Sequence, residues 1–254
     1  MSPKLTIKSF TFLNVVLLLA VFNTSVRAQT IQSPDTKVNL LEVYTSQGCS
    51  SCPPAEQWLT QFEADPRLWS QFIPINFHVD YWDFLGWKDP FSDPVFSMRQ
   101  RLYQQQGHTN TVATPGFMLN GQGWNGWFRR QELPLTHVAS EGIVTAELNQ
   151  QQIEVKFDVE KELTQPLKVH VAILGFDIIT KVTRGENKGK ELEHDFVVLG
   201  YKHQVMTMSH KQGKATLMLP DVSRFNSTKQ AVVIWVSTMS DLRPIQSVGD
   251  WLAI

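Results

Sequence analysis

The sequence is poor in cysteine and in charge. Of its 254 residues only two are cysteines, Cys49 and Cys52, which excludes both a disulfide-rich small domain and a zinc site made of four cysteines. Charged residues make up 19%, and 23 basic against 24 acidic side chains give a formal net charge of −1. This balance provides no electrostatic footprint for nucleic acid. The hydrophobic fraction of 42% excludes a disordered chain.

The first 28 residues have the pattern of a secretory signal peptide. Two lysines precede an apolar run, Phe10–Phe22, and a small-residue cleavage pattern ends at Ala28. A membrane anchor is the alternative, but the run has 13 residues, whereas a spanning helix needs about 20. We therefore predict that residues 1–28 are removed. The mature protein is expected to be exported, periplasmic or secreted, with no membrane span.

The hydrophobic pattern changes near residue 140. Before this point, apolar runs of buried-strand length at 38–45 and 72–79 are separated by segments typical of helices. After it, apolar and polar residues alternate with period two, as in Ile153 to Val159, and several short strands follow. We predict an α/β domain over residues 29–140, followed by an antiparallel β-sandwich-like domain over residues 141–254.

The two cysteines form a Cys-x-x-Cys motif between a predicted strand and a predicted helix that begins near Ser50. Free N–H groups and the dipole at a helix N-terminus favour the thiolate form of Cys49, while Cys52 lies one turn further on the same side. This arrangement is typical of thiol–disulfide exchange, in which the first thiol attacks a substrate disulfide and the second resolves the mixed disulfide. We expect Cys49 to be the more exposed thiol.

Other uses of the pair remain open. A purely structural disulfide is one, although closing so short a loop stabilises a protein by only about 2 kcal/mol in the chain-entropy model. Binding of Cu(I) is another, because two soft thiolates suit that ion. His78 and the Met206/Met208 pair on a later strand are candidate additional ligands. A third alternative is a non-catalytic binding module whose second domain recognises a partner.

Two further sites are predicted near the cysteines. Thr114-Pro115 precedes the third strand and resembles the cis-proline loop that faces the cysteine pair in thioredoxin-fold proteins, where the loop backbone binds the substrate chain. An ordinary trans proline at a strand start is the alternative. Glu42 lies in an apolar strand, where thioredoxins carry an acid in a similar place, and a buried carboxylate there would relay a proton to Cys52. A solvent-facing Glu42 is the other reading.

Four segments resemble an exported family known as domain of unknown function 1223. They are TSQGCSSCPPA at 45–55, HVDYWD at 78–83, GWKDPF at 86–91 and RGEN at 184–187, the last accompanied by His194-Asp195. The resemblance implies a thioredoxin-like fold for residues 29–140 and an exported location. It supplies no activity, because the name of the family records that none is assigned.

The sequence thus predicts an exported thiol–disulfide oxidoreductase. Cys49 and Cys52 are its catalytic pair, Glu42 its proton relay, and Thr114 and Pro115 its substrate-binding loop. We expect a protein or a small molecule that carries a thiol or disulfide as the substrate, and no cofactor, no resident metal and no nucleic-acid partner.

Overall fold

The computed structural model describes residues 29–149 and 151–252. The signal peptide predicted for residues 1–28 lies outside these ranges. β-Structure predominates in the described residues, with fifteen strands against two α-helices. No helix among them has the length and apolarity needed to cross a membrane.

Fifteen strands and two α-helices follow one another along the described chain. The strands are β1 (Gln29–Gln32), β2 (Asn39–Thr45), β3 (Phe72–His78), β4 (Gly116–Leu119), β5 (Gln122–Gly123), β6 (Gly142–Asn149), β7 (Gln152–Val159), β8 (Leu167–Gly175), β9 (Ile178–Lys181), β10 (Glu191–His194), β11 (Val197–Val205), β12 (Thr207–Ser209), β13 (Gln212–Met218), β14 (Gln230–Thr238) and β15 (Gln246–Trp251). The helices are α1 (Pro53–Thr60), which continues into a 3₁₀ turn over Gln61–Ala64, and α2 (Pro94–Gln105). Asp93 caps α2, and its side chain accepts a hydrogen bond from the Val95 N–H.

The strands form two large sheets and one small one. The larger sheet has eight strands in the order β15-β14-β8-β11-β3-β2-β4-β5, and the second has five in the order β1-β6-β7-β13-β12. The eight-stranded sheet is mixed, because β2 and β3 are parallel whereas β2 and β4 are antiparallel. Strands β9 and β10 make a separate two-stranded sheet.

The predicted fold class, an α/β thioredoxin-like domain followed by an antiparallel β-sandwich-like domain, is wrong. Strands take up 42% of the residues and helices 13%, and the large sheet is mixed. Its parallel strands β2 and β3 lie in the same sheet as β8, β11, β14 and β15. The join is made where β11 runs parallel to β3, at Val197 and Asn76. Hydrophobic alternation predicts a strand from its own residues, but the partner of a strand depends on contacts with distant segments.

Strands β8 and β14 are buried on both faces. Alternate residues of β8 point in opposite directions, so that Val169, Val171 and Ile173 pack in a core beneath the five-stranded sheet. Ala172 and Leu174, which lie between them, join the core that includes the residues of α1 and α2. The two cores therefore share one central layer of strands.

Glu42 on β2 belongs to a buried ion pair inside the second of these cores. Arg99 of α2 donates from Nε and from one terminal nitrogen to the two carboxylate oxygens, each over 2.7 Å. Tyr103 and Tyr44 donate to the same carboxylate over 2.6 and 2.7 Å. Four donors thus compensate the charge of Glu42, which has no exposed surface.

Removal of one partner of this ion pair should destabilise the protein strongly. We expect Arg99→Ala to lower the free energy of unfolding by about 3–5 kcal/mol, because the carboxylate of Glu42 is left buried without its counter-charge. Urea denaturation measures the change, with the exposed Arg101→Ala on the same helix as the control. The double variant Glu42→Leu/Arg99→Met should lose less than the single one. An equal or greater loss would contradict the assignment of the cost to uncompensated charge.

Candidate functional site

Cys49 and Cys52 form a disulfide between the end of β2 and the start of α1. Their Cα atoms are 5.5 Å apart, and the N–H of Cys52 donates to the carbonyl of Cys49 over 3.2 Å. Helix α1 begins at Pro53, three residues later than expected, with Cys52 as its N-cap. Both cysteines are buried, at 1% and 0% exposure, so the expected difference in accessibility is almost absent in the disulfide form.

The loop that contains Thr114 covers one side of the disulfide. The Thr114–Pro115 peptide bond is cis, as the sequence predicts. The Thr114 carbonyl oxygen lies 3.7 Å from Cys49 Sγ and accepts a 3.4 Å hydrogen bond from the Ser51 hydroxyl. A disulfide sulfur carries no proton, so Cys49 Sγ only contacts the Thr114 carbonyl oxygen in this form. After reduction, the Cys49 thiol can donate an S–H hydrogen bond to that oxygen. Trp82 fixes the loop by donating from Nε1 to Thr114 Oγ1 over 2.8 Å.

The connection between β9 and β10 covers the other side. Asn187, fully buried, donates from Nδ2 to the carbonyls of Gln47 and Cys49, each over 2.9 Å. The exposed Glu186 accepts a 2.9 Å hydrogen bond from the N–H of Ser50 inside the motif. Hydrogen bonds from the side chain and from the N–H of Ser50 lower the pKa of Glu186 and keep a negative charge next to the motif. We call residues 184–190 the cap loop.

Four ionisable side chains are buried together beneath the cysteine loop. The Nδ1 atom of His194 is 2.5 Å from Glu56 Oε2, and His78 Nε2 is 3.6 Å from Glu56 Oε1. On its other side, His78 Nδ1 lies 2.7 Å from Asp89 Oδ2. Asp89 also accepts a 2.8 Å hydrogen bond from the N–H of Gln47, two residues before Cys49. Glu56, His78, Asp89 and His194, called here the buried cluster, thereby hold the loop from below.

Hydrogen bonds at the edge of the cluster fix the proton on His194. Trp87 Nε1 donates to the side-chain oxygen of Gln47 over 2.8 Å, so the amide nitrogen of Gln47 faces His194 Nε2 at 2.9 Å. An amide nitrogen only donates, so Nε2 is the acceptor and the ring proton lies on Nδ1, directed at Glu56.

The charges of the buried cluster support one another. Burial by itself lowers the pKa of His78, but the carboxylates of Asp89 and Glu56 outweigh it and leave that pKa raised. Burial opposes the charge of the carboxylates too. Interaction with His194 and His78 nevertheless leaves the pKa of Glu56 below its ordinary value, and His78 does the same for Asp89.

Glu56, His78 and His194 are also the types of ligand that bind transition metals. One ligand atom from each lies within 4.8 Å of the other two. The proton on His194 Nδ1 occupies the direction that an ion would need, because it is donated to Glu56 over 2.5 Å. The arrangement is therefore satisfied internally by hydrogen bonds.

The other residues predicted for the site lie in different surroundings. The carboxylate of Glu42 bonds to Arg99 and two tyrosines and makes no described contact with a cysteine, so its relay role stays a prediction. The Met206 and Met208 side chains lie beside Gly213 and pack in or against the core beneath the five-stranded sheet. Neither is in the core that surrounds α1.

Sequence reasoning missed three of the four members of the buried cluster. Glu56 follows Cys52 by four residues, which places it one turn along the same face of α1, and this spacing is a usable signal. Asp89 and His194 lie in segments that resemble the family, but no spacing relates either residue to His78 or Glu56. The fold brings them to His78 from a loop and from β10.

Comparison with known proteins places the chain among uncharacterised relatives. The model of a family described as "Protein of unknown function (DUF1223)" matches residues 40–237. The crystal structure of protein AGR_C_4864 from Agrobacterium tumefaciens is 24% identical, with a TM-score of 0.53 over 85% of this chain and 94% of that one. HBP35 of Porphyromonas gingivalis is 14% identical, with a TM-score of 0.61 over 87% and 76%. At these identities the likeness is one of fold. No curated protein matches the chain.

The buried cluster should make stability depend on pH in both directions. The pKa of His78 is raised on folding, so its contribution is complete below about pH 6.5 and is lost as pH rises through the folded value. The pKa values of Glu56 and Asp89 are lowered on folding. The contribution of these two carboxylates to stability is therefore complete above about pH 4.5 and is lost on acidification. The cluster therefore stabilises the protein most between these limits.

We expect the loss of stability in His78→Gln to be largest near pH 5.5 and to shrink as the pH is raised towards about 9. Urea unfolding at several pH values measures the difference from the parent. The exposed His137→Gln serves as the control and should show no such trend. A His78→Gln loss that grows with pH would contradict a charged, carboxylate-paired His78.

Proposed function

The chain belongs to the DUF1223 family, described only as proteins of unknown function, and we propose that it is an exported thiol–disulfide oxidoreductase acting through Cys49 and Cys52. The pattern of a signal peptide in residues 1–28 supports the exported location. An oxidising compartment outside the cytoplasm is one in which a disulfide of this kind persists.

The observation that carries the proposal is the placement of the disulfide. Both cysteines of the chain are joined across two residues in the loop immediately before α1, and the Thr114 carbonyl oxygen lies 3.7 Å from Cys49 Sγ. So short a loop contributes only about 2 kcal/mol in the chain-entropy model, against about 3 for a loop of 15 residues. Stability alone is thus a weak reason for the pair to be there.

The exchange reaction balances within the pair. In the reduced protein, the Cys49 thiolate attacks a substrate disulfide, forms a mixed disulfide and expels one substrate thiolate. Cys52 then attacks the sulfur of Cys49, releases the second substrate thiolate and closes the protein disulfide. Two electrons pass to the substrate, and the reverse sequence oxidises a substrate dithiol.

The surroundings of the disulfide suit this chemistry and set a condition for it. The Thr114 carbonyl is positioned to accept a hydrogen bond from the Cys49 thiol of the reduced protein, and a backbone carbonyl next to the sulfur also suits an extended substrate chain. Because Cys49 is 1% exposed, a substrate reaches it only after the cap loop or Trp82 moves. A protein or small-molecule thiol or disulfide is the proposed substrate.

The structure offers no support for the copper alternative, because His78 bonds to Asp89 and the methionines lie in the other core.

Single-cysteine variants test the proposal. Reduced Cys52→Ser retains the attacking thiol and should form a mixed disulfide with oxidised glutathione about tenfold or more faster than Cys49→Ser, which retains only the resolving thiol. Intact-mass measurement counts the adduct over time. The parent should exchange with glutathione at a potential above about −300 mV. A parent disulfide that resists glutathione, together with equal and negligible adduct formation in both variants, would make the bond structural.

The cap loop should slow the attack by Cys49. The Glu186 carboxylate is bonded to the N–H of Ser50, and a negative charge at this place disfavours the neighbouring thiolate. We expect Glu186→Gln to increase the rate at which the reduced protein is alkylated at neutral pH by about twofold to fivefold. Stopped-time alkylation with mass mapping measures the rate. Glu193→Gln, an exposed acid on the same hairpin without a hydrogen bond to the motif, should leave it unchanged. A slower Glu186→Gln would mean that the carboxylate assists the thiol.

A further inference from the structure

A second cluster of acidic side chains lies at the base of the hairpin formed by β9 and β10. Glu63 comes from the 3₁₀ turn after α1, Asp177 immediately precedes β9, and Asp195 immediately follows β10. One carboxylate oxygen from each lies within 4.8 Å of the other two. The 3₁₀ turn after α1 and the two ends of the hairpin therefore bring three carboxyl groups together.

Asp195 has a buried carboxylate oxygen without a hydrogen-bond partner in the described residues, which the closeness of the three acidic side chains does not explain. Its side chain is 2% exposed, and its Oδ1 accepts a 2.9 Å hydrogen bond from the N–H of Asp177. Its second oxygen, Oδ2, is buried and has no hydrogen-bond partner in the described part of the chain. A buried carboxylate oxygen without a donor is costly, and such an atom in a folded protein points to a partner that proteins take from solution.

We propose that Glu63, Asp177 and Asp195 form a calcium-binding site. The donor set contains only carboxylate oxygens, with neither imidazole nor thiolate, and this selects a hard cation over zinc or copper. Asp195 Oδ2 and the Asp177 carboxylate carry no described hydrogen bonds and are available as ligands. Ca²⁺ accepts six to eight oxygens in irregular geometry, completed here by water, whereas Mg²⁺ demands a regular octahedron.

Lys229 is the competing cation at this site. Its ammonium group pairs with Glu63 Oε1 and lies 4.8 Å from the centre of the Trp251 ring. A cavity of about 570 Å³, lined by Glu63, Lys229 and Trp251 among others, leads from solvent to this pair. Entry of the ion replaces the Lys229 interaction with Glu63, and removal of the lysine charge should strengthen binding. The neighbouring indole provides an optical signal of this exchange.

The experiment uses the mature protein in its disulfide form, with CaCl₂ as the probe. Isothermal titration calorimetry should give one site, with a Kd of about 10⁻⁴–10⁻³ M, the range of extracellular calcium modules. At about ten times the Kd, the thermal midpoint should rise by roughly 2–5 °C and tryptophan fluorescence should change. Asp195→Asn and the exposed Asp177→Asn should each weaken binding at least about tenfold, and Lys229→Gln should tighten it.

The control is Asp158→Asn, an exposed acid on β7 outside the cluster, which should bind calcium as the parent does. Absence of heat and of a thermal shift in the parent at about 10 mM calcium would overturn the proposal, as would binding that survives in both Asp195→Asn and Asp177→Asn. An equal shift with MgCl₂ would overturn the assignment to calcium. None of these outcomes depends on thiol exchange at Cys49, so the test is independent of the proposed function.

Discussion

The carboxylate of Asp89 is the contact on which the geometry of the cysteine loop depends. It is buried, and it accepts hydrogen bonds from the N–H of Gln47, from the N–H of Phe91 and from His78 Nδ1. The first of these fixes the backbone two residues before Cys49, and the last connects it to Glu56 and His194. A charged group held in this way is expensive to bury, and only the complete set of donors makes the arrangement favourable.

This dependence explains why segments from both halves of the chain are required at one loop. His194 on β10 closes the buried cluster from below, and Asn187 closes the loop from above through two carbonyls. Gly48, between them, leaves no room for a side chain, because a Cβ atom there would lie 2.9 Å from that of Trp82. The disulfide is thus enclosed by Trp82 and Thr114 on one side and by the cap loop on the other.

The features of this site that depend on neighbouring residues can be predicted from the sequence. The Cys-x-x-Cys spacing, the strand before it and the cis proline of the Thr114 loop depend on neighbouring residues, and the structure has each of them. The prediction of the fold class was wrong because the pairing of β11 with β3 depends on contacts between segments that are far apart in sequence. Asp89 and His194 were not predicted as members of the buried cluster for the same reason, because no neighbouring residue indicates that they contact His78.

The small sheet of β9 and β10 has a consequence for how the site opens. It shares no ladder hydrogen bonds with either large sheet in the described residues, and its cap loop is held to the cysteine loop by the side chains of Glu186 and Asn187. Strands β8 and β14, by contrast, are locked between two cores. Local opening of the cap loop alone therefore breaks only these side-chain hydrogen bonds, while His194 on β10 stays in the buried cluster and the central layer stays intact. Access to the sulfur atoms therefore depends on the cap loop, whereas resistance to global unfolding depends on the two cores. Substitutions in the cap loop can change access to the disulfide without lowering the stability of the fold.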